Sequence, residues 1–200
     1  MMLEQGYNKI YWGFLLTIFN INVGTLRIFP DFIGYFVICL GLLKIQKQFE
    51  NKNFKLAIIF TNILLFYSII VFIMEFIGFG NLIGINIERY HYKSIFETGF
   101  ALLQSSINLL SIFYIFSGTI DMFLKLKLDN QANSMENYQK KYSILYIIGL
   151  ILLSISINIT SEKYYIIVVI YILIIEFNFA TIINDIRKIV KEWWLNIFLL

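Results

Sequence analysis

Over most of the chain, apolar residues run on in blocks of roughly the 20 that a helix needs to cross a bilayer, separated by short polar stretches. The pattern predicts membrane segments at about 7–23, 31–43, 54–79, 94–124, 142–159 and 164–183. Over 184–200 the pattern changes: Ile186, Ile189, Val190, Trp193 and Ile197 share one side, with Arg187, Lys188, Lys191 and Glu192 away from it. That stretch reads as an amphipathic helix lying in the membrane interface. The expectation is an all-α integral membrane bundle of about six transmembrane segments in a single domain over 1–200. The longest hydrophilic piece, 125–141, reads as an exposed loop.

The stretch over 20–43 interrupts the apolar N-terminal third and holds the only proline. Asn20, Asn22 and Gly24 end segment one, and Pro30-Asp31 opens segment two. Proline lacks an N–H and suits the first turn of a helix, where an aspartate complements the positive end of the helix. Arg27 lies four residues before Asp31, close enough to pair with it in a tight turn. Arg27, Pro30, Asp31 and Gly34 are therefore read as a structural turn. The first two segments form a Pro-Asp hairpin; both are short, so either both cross or segment one is re-entrant. Gly34 and Gly41, seven apart, let segment two approach a neighbour closely.

Composition agrees with the pattern: 59% hydrophobic, 14% charged, with a mean hydropathy of +0.75. No basic stripe suggests nucleic acid, and the lone Cys39 excludes an internal disulfide. Glu4 precedes the first apolar block and no small-x-small site follows it, so a cleaved leader is not expected. If all six segments cross, twelve of the sixteen Lys and Arg residues fall on one side and four on the other. The positive-inside rule then makes both termini cytoplasmic in a multi-pass protein of the cell membrane. A re-entrant segment one would move only Lys9 across.

Candidate chemistry is sparse. Metalloprotease, nucleophile-elbow and P-loop motifs are absent, and His91 has no nucleophile or ligand cluster in sequence, so no enzyme, metal or cofactor is expected. The ionisable residues inside apolar blocks are the sharper signal, because such groups are costly in lipid and need a partner or water. In segment four, Glu97, Gln104, Asn108, Ser111 and Gly118 recur at helical spacing on one face. With Glu75, Glu176 and Asn178 from segments three and six, Glu97, Gln104 and Asn108 form a candidate intramembrane polar cavity. The competing reading is a set of interhelical hydrogen bonds that only hold the bundle together.

The residues from Asn20 to Tyr35, N-x-N-x-G-x-L-R-I-F-P-D-F-I-G-Y, resemble an N-terminal signature of small uncharacterised polytopic membrane proteins of Gram-positive, clostridia-like bacteria. That resemblance implies membrane residence and no catalysis. Size and span number are also similar to the substrate-binding subunits of energy-coupling-factor transporters, whose A-x-x-x-A contact motif is absent here, and to immunity proteins against membrane-active bacteriocins. Two functions stay open. One is an accessory or immunity component acting through a membrane-protein partner or peptide. The other is a small transporter or substrate-binding subunit using the polar cavity.

Overall fold

A computed structural model of the chain describes residues 2–19, 22–23, 26–27, 30–76, 90–156 and 162–198. These form six helices: α1 (Met2–Ile18), α2 (Asp31–Gln48), α3 (Lys52–Phe76), α4 (Tyr90–Lys125), α5 (Asp129–Ser156) and α6 (Glu162–Phe198). Between α1 and α2, β1 (Asn22–Val23) and β2 (Leu26–Arg27) pair antiparallel as a two-residue ladder. Each helix packs on its sequence neighbours and α6 returns to α1, which closes the bundle into a ring. The fold is all-α.

Among the described residues, three helices are long and apolar enough to cross a membrane, over Lys52–Met74, Gly99–Lys125 and Ile166–Asn196, where the chain pattern predicts six. At 1.5 Å per residue, α1 and α2 reach only about 26 and 27 Å, slightly less than the roughly 30 Å of hydrocarbon. In α5 the apolar part begins only after Lys141. The outer faces of the long helices are strongly apolar, with Ile59, Ile63, Phe66 and Ile70 on α3 and Ile166, Ile167, Ile170 and Ile174 on α6 all exposed. Such faces suit lipid.

The tightest contact is between α1 and α2. Gly6 lies against Gly41 and Gly13 against Gly34, so two glycines seven apart on one helix meet two seven apart on its antiparallel neighbour. A Cβ on Gly34 would stand 2.4 Å from the Thr17 Cγ2 and 2.8 Å from the Gly13 carbonyl oxygen. Only glycine allows the backbones this close.

Two sequence expectations are corrected. The hydrophilic 125–141 stretch is not a loop, because α5 starts at Asp129. Its composition hides a helical stripe: Ala132, Met135, Gln139, Tyr142, Tyr146 and Leu153 are all buried, at spacings of three, four and seven. Glu136 and Lys140 pair across one turn on the opposite face, 2.7 Å apart. The separate interfacial helix over 184–200 does not exist either. With no Gly or Pro inside it, α6 runs unbroken, and its buried line of Ile175, Phe179, Ile183, Ile186 and Val190 continues through the expected break. Ile186 and Val190, which looked ready for lipid, face the protein.

One end of the bundle gathers most of the basic residues. There the Arg187 Nη1 donates to the Asn8 Oδ1 at 2.6 Å, and the Lys44 Nζ donates to the Gln5 Oε1 at 2.9 Å. The Nδ2 groups of Asn51 and Asn53 donate to the Asp121 Oδ2 at 2.9 and 2.8 Å, tying the α2–α3 connection to α4. Lys125 lies 4.7 Å over the ring of Phe49.

Candidate polar cavity

Away from the lysine-rich end, where α1 finishes and α2 begins, the bundle holds a cavity of about 70 Å³. Its lining is Thr17 from α1, Asp31 and Tyr35 from α2, Gln104, Ser105 and Asn108 from α4, and Glu176 from α6. All seven side chains are polar. Helix geometry brings them together: Gln104 and Asn108 stand one turn apart on the inner face of α4, and Asp31 and Tyr35 one turn apart on α2. Asp31 occupies the first turn of α2, where its carboxylate complements the helix dipole.

A hydrogen-bond network crosses the middle of the lining. The Asn108 Nδ2 donates to the Glu176 Oε1 at 2.9 Å and to the Tyr146 hydroxyl at 3.4 Å, while the Tyr146 hydroxyl donates to the same Oε1 at 3.1 Å. Three helices, α4, α5 and α6, are thereby joined at one carboxylate oxygen. From the other side the Gln104 Nε2 donates to the Tyr35 hydroxyl at 3.4 Å. Asn108 is only 6% exposed, and its Oδ1 is buried without a hydrogen-bond partner.

Directly toward the lysine-rich end the character reverses. Phe14, Phe116, Tyr142 and Phe179 each lie about one or two turns beyond a residue of the network or lining, on α1, α4, α5 and α6, and all are buried. The ring of Phe179 touches the other three, edge-on to Phe14 with centroids 4.7 Å apart, edge-on to Phe116 at 5.2 Å, and tilted against Tyr142 at 5.4 Å. This aromatic layer floors the cavity. Beyond it the Tyr7 hydroxyl bonds the Thr119 hydroxyl at 2.7 Å.

Of the residues nominated from sequence, Gln104, Asn108 and Glu176 meet in the cavity. Asn178 does not: it is exposed on the other side of α6 and donates to the Ile174 carbonyl at 2.8 Å. Two residues past Glu176 on a helix is a turn of about 200°, which carries the side chain away from the bundle axis. The side chains of Glu75, Glu97 and Arg27 lie outside those described. Among the turn residues, Pro30 is the N-cap of α2 in extended geometry, Gly34 packs on α1, and Asp31 serves the cavity as well as the helix end. Thr17, Tyr35, Ser105 and Tyr146 were not foreseen. The signal for Tyr35 and Thr17 was available in the register that the paired glycines impose on α1 and α2. Among the described residues no group of three or more His, Cys, Asp or Glu could hold a metal ion by such ligands alone.

Fold and site together define an α-helical membrane protein with a polar cavity inside its bundle. Compared with known protein families, curated proteins and solved structures, the chain matches none.

Proposed function

We propose that this is a small multi-pass protein of the cell membrane that binds a small polar solute inside the bilayer, as a transporter or a substrate-binding subunit. The observation that supports this reading is the cavity itself, polar on every lining residue and floored by aromatic rings. Simple interhelical bonding would pair each polar group with a neighbour and leave no space. Here about 70 Å³ stays open and a buried amide oxygen lacks a partner.

The same reading has all six helices crossing, with both termini on the lysine-rich, cytoplasmic side. Three features support it: α1 lies along the length of α2, it starts at the end where Asn8 meets Arg187, and that end gathers the basic loops. A re-entrant half-helix would not make such a full-length pair. The short α1 and α2 then cross by local thinning of the bilayer.

An accessory or immunity role, working through a protein or peptide partner, is the second reading. On its side are the polar half of α5 and the end of α6, which hold between them a groove of about 300 Å³ lined by residues such as Gln131, Tyr138, Asp185 and Ile189.

Thiol labelling tests the first reading. In membrane vesicles, Ser105→Cys should react with a small water-borne thiol reagent well above the background set by the buried Cys39. Labelling no faster than that background would remove the solute-binding reading and leave the partner role.

A further inference from the structure

Resting on the solute-binding reading, we propose that the cavity takes a partly dehydrated monovalent cation of about the size of sodium, held by the Glu176 carboxylate and the Asn108 Oδ1 with the Tyr35 and Gln104 oxygens completing the shell.

The donors of the Asn108–Tyr146–Glu176 network are already spent. Both N–H groups of Asn108 and the Tyr146 hydroxyl are directed at the Glu176 Oε1 or at each other. Only the NH₂ end of the amide can face a carboxylate, so the network fixes the orientation of Asn108 and leaves its oxygen turned from Glu176. Among the described residues, no hydrogen-bond donor reaches that Oδ1. A buried acceptor without a donor calls for a proton donor or a cation.

Charge narrows the choice. The lining has two carboxyl groups and no Lys, Arg or His. Asp31 stands in the first turn of α2, where the helix dipole complements its charge, while Glu176 lies at the centre of the network between three helices. Every other available ligand is a neutral amide or hydroxyl oxygen, a set that suits a hard cation of low charge; calcium sites add more carboxylates and magnesium gives up its waters reluctantly. Size narrows it further. A cavity of about 70 Å³ has room for a small ion together with a few waters. With the aromatic layer as its floor, the ion would enter from the end opposite the lysines.

The test is the thermal stability of the full purified chain in detergent, with sodium chloride replaced by choline chloride at constant ionic strength. Sodium at a hundredfold its half-saturating concentration should raise Tm by about 5–10 °C, saturably, with choline inert. Glu176→Gln keeps an acceptor for Asn108 but loses the charge, and should fold in choline while losing the sodium response. Should that variant fail to fold, equilibrium binding of radioactive sodium to the unmodified chain decides, with one ion per chain expected. A shift common to sodium and choline, a response that Glu176→Gln retains, or stabilisation by calcium and not by sodium overturns the proposal. If Ser105→Cys labels from water yet sodium has no effect, the cation assignment falls and the cavity reading stands. If neither occurs, both fall.

Discussion

Two adjacent layers of the bundle, drawn largely from the same helices, differ in kind. The upper one joins Asn108, Tyr146 and Glu176 around open space with Tyr35 and Gln104 beside it; the lower one fills its cross-section with Phe14, Phe116, Tyr142 and Phe179 in ring contact. Both layers are buried, so burial does not separate them. What separates them is whether side chains fill the cross-section. In the aromatic layer the ring of Phe179 meets the other three and fills the centre, although the buried Tyr142 hydroxyl has no hydrogen-bond partner. In the polar layer about 70 Å³ stays open, and an amide oxygen is left over beside it. The lower layer is therefore the part that holds α1, α4, α5 and α6 together, and the upper layer is the part with capacity for something else.

Several substitutions should break or sharpen that contrast. The largest effect is expected at Phe179, which is 0% exposed and touches three rings. Phe179→Ala should cost about 3 kcal/mol of unfolding free energy, at the low end for aromatic truncation because lipid takes over part of the transfer term. It should also open the cavity floor, so that Ser105→Cys in that background labels from the lysine-rich side too. Next comes Gly34→Ala, where the new Cβ would meet backbone on α1 at 2.8 Å. About 2 kcal/mol of destabilisation is expected from forcing the hairpin apart, read by denaturant titration in detergent. Gly99→Ala, with nothing within 4 Å of its Cβ, is the control and should not destabilise.

Smaller again is Asp121→Ala, which leaves the Asn51 and Asn53 amides without their shared acceptor and should cost about 1 kcal/mol while sparing the cavity. The smallest effect belongs to Asn178→Ala. Although two residues from Glu176, it is exposed and bonded only to its own helix, so stability should stay within about 0.5 kcal/mol and any sodium response should be unchanged.

The polar layer was largely legible in the chain, and the aromatic layer was not. Gln104, Asn108 and Glu176 stand out because a polar group in an apolar block is rare and its cost demands an explanation. Phe14, Phe116 and Phe179 are three of twenty phenylalanines, and nothing local distinguishes a ring facing the axis from one facing lipid. The periodicity that could have marked α5 as a helix from Asp129 was present in Ala132, Met135, Gln139 and Tyr142, but the polar residues between them read as a loop by composition. The false break at residue 184 has the same origin: the polarity changes there, but no Gly or Pro stops the helix. Gly34 and Gly41 announced a close approach, and the answering pair, Gly6 and Gly13, stood at the same spacing in the first segment.

Sidedness of the cavity tests the account most directly. In sealed vesicles of known orientation, Ser105→Cys in an otherwise unaltered chain should label with a membrane-impermeant thiol reagent from the side opposite the lysine-rich loops, and not from the lysine-rich side. Labelling from the lysine-rich side would mean that the aromatic layer is no floor, and labelling from neither side would mean that the polar layer is a sealed joint with no room for a solute.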